Sequence, residues 1–267
     1  MSIDFDARAY WEARLGADWS LTGVGLRRLG RRFNVWAYRV RREIFLEIVA
    51  ARVPDLSHAR VLDVGSGTGF YIDRWREAGV ASVAALDLTE AAAGRLRERY
   101  PTITVVRADI GAPLEPALLE ARGSFDIVSA MDVLFHIVDD DAFALALRNT
   151  RELLRPGGTF IWSDAFSHHL DTRVEHRASR TLSEVERLLD AAGFDIVVRT
   201  PMFVLMNEPV DVRRRSTLRA WQAMMGPASL AEPLGGFMGW LLYPLESRLV
   251  RRRRESPTTE IMVCRAR

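Results

Sequence analysis

The 267-residue chain contains no lysine, so all 37 of its Lys-plus-Arg residues are arginine. That excludes a lysine general base or Schiff-base former. The one cysteine, Cys264, excludes an internal disulfide. Its neighbours Ile261, Met262 and Val263 mark it as a buried strand residue rather than a nucleophile. Such sparse cysteine fits a reducing cytoplasm. No apolar run approaches the roughly 20 residues a membrane span needs. The acidic start Met1-Ser2-Ile3-Asp4-Phe5-Asp6 has neither the basic nor the apolar region of a secretory signal. The expected location is cytoplasmic.

What is present suits a soluble enzyme-sized protein: a 48% hydrophobic composition supports a sizeable core, and the formal net charge is only +2. The arginines nevertheless cluster, at Arg27-Arg28, Arg31-Arg32, Arg41-Arg42, Arg213 to Arg215 and Arg251 to Arg254. Such runs read as solvated faces, or as surfaces for an anionic lipid, a phosphate or RNA.

One stretch is far more specific. Val61-Leu62-Asp63-Val64 is an apolar strand that breaks into Gly65-Ser66-Gly67-Thr68-Gly69, and a second apolar run, Ala84-Ala85-Leu86, ends on Asp87. Alternate glycines allow a tight turn and the close approach of a ligand, and the helix that follows offers unpaired N–H groups. A dinucleotide-binding turn runs G-x-G-x-x-G, whereas here that third position is Phe70 and glycine comes one residue early.

With Asp63 two residues ahead of it, this G-x-G-x-G turn resembles the first motif of the class I S-adenosylmethionine-dependent methyltransferases. Three further runs continue the resemblance in order: Ile103 to Ile110, Phe125 to Asp132, and Leu153 to Ile161 with its Pro156-Gly157-Gly158 turn. The resemblance implies a three-layer α/β/α Rossmann-like fold, its seven-stranded sheet mostly parallel with an antiparallel last strand, plus N-terminal helices and a C-terminal helical insertion. It implies S-adenosylmethionine as cofactor, S-adenosylhomocysteine as product, and contacts from Asp63, Gly65, Ser66, Gly67, Gly69, Asp87, Leu88, Asp109, Ile110 and Met131. In the family, the acid matching Asp87 takes both ribose hydroxyls, Asp109 would meet the adenine amino group, and Ile110 would flank the ring.

Hydrophobic periodicity supplies the organisation. Helices are expected over 10–15 and 33–52, with a loop at 21–25 between them. Strands are then expected at 60–64, 82–87, 103–107, 125–130 and 158–163, alternating with helices at 70–78, 89–99, 114–121 and 140–154, which gives a mainly parallel sheet. A helix over 183–192 and a strand over 194–200 follow, and 259–264 reads as the final strand. The chain thus divides into an N-terminal helical lid (1–54), the cofactor-binding core (55–200), a helical cap insertion (201–257) and the last core strand (258–267). The insertion holds Trp221, Met224, Met225, Phe237, Met238, Trp240 and Leu241, too much apolar surface to leave in water. It is expected to pack on the sheet, to cap an apolar acceptor pocket, or, over 237–254 with its trailing arginines, to lie on a membrane surface or meet a lipid-linked substrate.

Methyl transfer is an in-line displacement, so a protein that performs it chiefly orients the acceptor and removes a proton. His136 is the candidate base, because an ordinary imidazole pKa of about 6.5 suits that task; alternatively it packs or caps the helix beginning near Asp139. Asp132, His168 and His169, past the ends of the fourth and fifth strands, and Tyr10 and Trp11, on the first helix, are candidate substrate contacts. No metal is expected, since Asp139, Asp140 and Asp141 read as an acidic helix start. The expected activity is O-methylation of a small molecule, a sugar or natural-product hydroxyl. Alternatives are N- or C-methylation of a metabolite or peptide, or a non-catalytic cofactor-binding or interaction protein. No Asn-Pro-Pro-Tyr-like tetrapeptide follows the fourth strand, which weakens the case for a planar nitrogen acceptor. The expected partner is a small acceptor rather than nucleic acid, and the chain a monomer or homodimer.

Overall fold

Between residues 60 and 164, apolar runs separated by turn residues become alternating strands and helices. The computed structural model describes residues 5–53, 55–168, 172–174, 176–212 and 215–267. The chain opens with three helices, α1 (Ala7–Ala17), α2 (Leu21–Val24) and α3 (Gly30–Arg52). It continues through β1 (Arg60–Val64), α4 (Phe70–Ala78), β2 (Ser82–Asp87), α5 (Glu90–Arg99), β3 (Val105–Arg107), α6 (Pro116–Glu120), β4 (Phe125–Met131), α7 (Asp140–Leu153) and β5 (Leu154–Asp164). A small hairpin, β6 (Thr172–Val174) and β7 (Arg177–Ser179), precedes α8 (Leu182–Ala192), β8 (Phe194–Pro201), α9 (Arg215–Met225), α10 (Glu232–Arg252) and β9 (Glu260–Ala266).

Seven strands form one sheet in the order β3-β2-β1-β4-β5-β9-β8. Strands β1 to β5 are parallel, and β9 runs antiparallel between β5 and β8. This is the Rossmann-like architecture expected from the sequence. One apolar core, with Phe33, Phe45 and Trp75, lies between the sheet and the α3, α4 and α10 side; the other, with Phe143, Phe160 and Trp162, lies on the α7 and α8 side. Cover on both faces explains why the strands read as continuous apolar runs. Cys264 is buried in β9.

The boundaries shift where local chemistry outweighs periodicity. Residues 21–24, expected as loop, form a helical turn because the Ser20 hydroxyl accepts from the Thr22 and Gly23 amides. The fifth strand starts at Leu154, which pairs with Phe125 across a bulge. Acidic residues 139–141 begin α7: Asp139 caps it by accepting from the Ala142 amide at 2.8 Å, and Asp140 and Asp141 sit in its first turn.

The segment after β8 is held chiefly against α3. Gly235, Gly236 and Gly239 let α10 approach closely; a Cβ on Gly239 would stand 2.5 Å from the Trp36 ring. The Glu232 carboxylate accepts from the Arg31 and Arg32 amides at 2.7 and 2.8 Å, closing the start of α3. Further along, Tyr243 bonds Glu43 and Arg251 pairs with Glu47. Glu246, fully buried, accepts from the Val204 and Leu205 amides at 2.6 and 2.9 Å.

Leucine at position 239 must push α10 off Trp36. Gly239→Leu is expected to lower the unfolding free energy by about 1–3 kcal/mol in urea titration. Gly16→Ala, at a helical site with nothing within 4 Å, is expected to be neutral or slightly stabilising. A Gly239→Leu protein as stable as the parent would contradict the close helix approach.

Candidate active site

The strand order reverses between β1 and β4, and their carboxyl ends open the crevice where ligands bind in open α/β sheets. The glycine turn sits there. Gly65, Gly67 and Gly69 have φ of 67°, 51° and 79°, all left-handed. A Cβ at Gly65 would run into Val133, and one at Gly69 would lie 2.6 Å from the Tyr100 ring. The Gly65 and Ser66 amides donate to the Leu86 carbonyl at 2.7 and 3.1 Å. The Gly67 amide donates to Asp87 Oδ2 at 2.8 Å, while Asp87 Oδ1 accepts from the Thr89 amide at 3.0 Å and its hydroxyl at 2.8 Å.

Against this turn lies a cavity of about 270 Å³. Of the expected cofactor contacts, Gly65, Ser66, Gly67, Asp87, Leu88, Asp109, Ile110 and Met131 line it together. Asp63 and Gly69 are not in its walls. Asp63 lies behind the turn, where Oδ1 accepts from the Ser129 hydroxyl at 2.7 Å, which itself accepts from Trp75 Nε1 at 2.9 Å. Burial raises its pKa to about 7 against the opposing effect of those hydroxyl bonds. Asp63 therefore shapes the turn from within the core.

His136 and Trp11 line the same cavity, with ring centroids 4.8 Å apart. His136 Nδ1 lies 2.7 Å from the His176 carbonyl oxygen. A carbonyl only accepts, so Nδ1 carries the hydrogen and Nε2 is left as an acceptor. Burial pushes this imidazole down to about 3, despite the raising effect of the carbonyl bond. The ordinary value behind the expected base role is therefore not retained; His136 is neutral throughout the physiological range. Tyr10 does not line the cavity: it stacks on His176 at 5.5 Å and accepts from Arg14.

Asp132 also lines the wall, and among the described residues it alone has positive φ without being glycine, at 60°. Its carboxylate accepts from Arg41 and, at 3.1 Å, from Ser163. The Arg41-Arg42 run thus divides: Arg42 pairs with Glu77 at the surface, whereas Arg41 is buried under the cavity. Burial alone would lower the Arg41 pKa, but Asp132 raises it above its ordinary value. Tyr38 and Tyr71 complete this polar end of the cavity, and burial raises the Tyr38 phenol to about 12. Sequence reasoning missed Tyr38, Tyr71 and Arg41. The spacing of Tyr38 and Arg41 on one face of α3 was the available signal.

His168 lies outside these walls and pairs with Asp211 at 2.8 Å and Glu255 at 3.3 Å. His169 falls outside the described residues. No described residue of 201–257 lines the cavity, so α9 and α10 do not cap it. No group of three His, Cys, Asp or Glu suited to a metal occurs among the described residues.

The walls fit a nucleoside bearing a positively charged tail. An ionised Asp87 offers about four acceptor sites. Three are filled by Gly67 and Thr89. Oδ2, with one protein donor, is the more open oxygen toward a ribose hydroxyl.

Comparison with known proteins agrees with this geometry. A family model described as "Methyltransferase domain" matches residues 61–158. A ubiquinone biosynthesis O-methyltransferase of Xanthomonas campestris is 37% identical over 119 residues, 44% of this chain and 47% of that protein. The Bordetella avium protein of the same name is 31% identical over the same extent. The chain thus spans about half the length of the curated relatives it matches. Among solved structures, the N-methyltransferase NodS of Bradyrhizobium japonicum, in complex with S-adenosylhomocysteine, is 16% identical with a TM-score of 0.58, covering 97% of this chain and 98% of that one. A Mesorhizobium loti S-adenosylmethionine-dependent methyltransferase gives 21% and 0.51, with 82% and 96% covered. At these identities the structures speak for the fold.

The buried Asp63 carboxyl has a stability signature. Its folded pKa of about 7 exceeds the unfolded value, so between about pH 4 and 7 the native state holds a proton that the unfolded state has lost. Stability attributable to Asp63 is then full below that window and declines through it as pH rises, by roughly 1.4 kcal/mol per unit of pKa difference. Asp63→Asn is expected to flatten the decline in denaturant titrations between pH 4 and 8. An unchanged pH profile in the variant would show that Asp63 is ionised in the fold.

Proposed function

We propose that this chain, with its methyltransferase-domain match over residues 61–158, is a class I S-adenosylmethionine-dependent methyltransferase that methylates a hydroxyl oxygen on a small, largely apolar acceptor. The observation that carries the reading is His136: a neutral imidazole in the cavity wall, its Nδ1–H held by a backbone carbonyl and its Nε2 left to accept. A neutral acceptor nitrogen suits a hydroxyl, which has a hydrogen to donate. Phe5, Trp11, Ile137 and Val138 supply apolar walls around it. The matched relatives are named as O-methyltransferases, which agrees with oxygen as the acceptor atom.

S-adenosylmethionine, when bound, supplies a methyl group on a sulfonium whose leaving group is a neutral thioether. Asp87 and Asp109 would hold its nucleoside, and the polar end at Asp132, Tyr38 and Tyr71 its amino-acid tail. His136 Nε2 accepts the acceptor's hydroxyl hydrogen and so points an oxygen lone pair along the transfer line. Transfer of the methyl group to that oxygen, with the thioether leaving, would make its hydrogen strongly acidic. Even a weakly basic imidazole would then receive the proton, and would pass it to water once the product leaves the cavity. Trp11 and Phe5 exclude water from the reacting atoms.

Incubation with S-adenosylmethionine and a panel of phenols, catechols, sugars and amines tests the reading by S-adenosylhomocysteine release. Turnover is expected with hydroxylated apolar acceptors. His136→Phe should lower kcat by at least about tenfold while leaving S-adenosylhomocysteine affinity unchanged. Because His136 is already neutral, kcat should show no His136-dependent break between pH 5 and 8. Turnover confined to amines, or a His136→Phe enzyme of full activity, would overturn the reading.

A further inference from the structure

One surface has no part in the site described above. Helix α10 is apolar on nearly every side, a pattern that belongs in a core. Its inner face, with Gly235, Gly239 and Leu242, meets α3 and the core. Its outer face does not. Phe237, Trp240, Leu241 and Leu245 are 55%, 56%, 49% and 46% exposed, and Val35 on α3 is 58% exposed. Trp36, Arg39, Trp240, Leu241, Tyr243 and Pro244 line a shallow groove between the two helices. A contiguous exposed patch of this kind marks an interaction surface.

The charges around it select the occupant. At one end of the helix pair lie the exposed Arg28, Arg31 and Arg32, and at the other Arg248 and Arg252. None of these five forms an ion pair among the described residues. The acidic neighbours are already engaged: Glu232 by the Arg31 and Arg32 amides, Glu43 and Glu47 by Arg251. A second copy of the chain on this patch would set arginine against arginine whichever way the helices paired across a two-fold axis. An apolar strip between two cationic ends instead matches the acyl boundary and headgroups of an anionic bilayer. No helix of the described residues is long and apolar enough to cross a membrane, so the contact is lateral.

We propose that the outer face of α10, with the adjoining surface of α3, docks this protein on anionic lipid bilayers, Phe237 and Trp240 entering the interface and the flanking arginines meeting the headgroups. The proposal is independent of the transferase reading, because neither side chain lines the cavity.

The full chain is sedimented with vesicles of phosphatidylcholine alone and of equimolar phosphatidylcholine and phosphatidylglycerol. Binding is expected to the mixed vesicles, to weaken with added salt, and to be negligible on phosphatidylcholine. Phe237→Ser/Trp240→Ser and, separately, Arg248→Glu/Arg252→Glu should each weaken it at least about tenfold. All four positions are exposed, and unchanged thermal unfolding verifies that the variants fold. Absence of binding to mixed vesicles, or binding that neither variant alters, would overturn the proposal. So would analytical ultracentrifugation showing a dimer that Phe237→Ser/Trp240→Ser dissociates, with no vesicle binding by the parent.

Discussion

A hydrogen bond of 2.8 Å from the Gly67 amide to the Asp87 carboxylate ties the glycine turn after β1 to the acid that ends β2. The remaining geometry of the cleft is arranged around it. The bond requires Gly67 in a left-handed conformation, which positions the turn's backbone against the cavity. It also fixes the carboxylate, whose other oxygen is held by Thr89, the residue that caps α5. A buried carboxylate is costly to keep charged, and burial does raise the Asp87 pKa against the lowering effect of these bonds. An acid so placed, with an acceptor site still open, is matched to a ligand that brings hydroxyls.

Support for this bond comes from three directions. Behind it, the Trp75–Ser129–Asp63 chain ties α4, β4 and β1 together beneath the turn. Above it, Trp19 Nε1 donates to the Gly67 carbonyl at 2.9 Å, and the Glu12 carboxylate caps α5 through the Glu90 and Ala91 amides at 2.8 Å each. The N-terminal helices are thereby attached to the glycine turn and the start of α5, bringing Trp11 to the cavity wall. From the side, the buried Arg41 holds Asp132 in its left-handed conformation at the end of β4.

The parts of this arrangement that were legible in the sequence are those carried by local pattern. The G-x-G-x-G spacing, the acids ending successive strands and the alternation of strands and helices are each encoded within about ten residues. Long-range pairings were not. Arg41 and Asp132 are 91 positions apart, and the helical spacing that sets Arg41 beside Tyr38 on one face of α3 does not name Asp132 as its partner. Asp63 lies within its apolar run and Asp87 ends one, but only the sheet's three-dimensional form turns the first inward to Ser129 and the second toward the cavity. His168 follows a strand as a site residue would, yet Asp211, 43 residues on, draws it away. The insertion's apolar side chains demanded cover, and the glycines at 235, 236 and 239 named α3 as the cover only once a neighbouring helix was in view.

The central claim is that the turn and Asp87 form a site for S-adenosylmethionine and its product. Calorimetric titration of the parent protein and Asp87→Ala with S-adenosylhomocysteine, with thermal unfolding recorded for both, tests it most directly. The account predicts saturable binding by the parent and at least about tenfold weaker binding by a folded Asp87→Ala protein, the loss of roughly one charged hydrogen bond. No binding by the folded parent, or equal binding by both proteins, would contradict it.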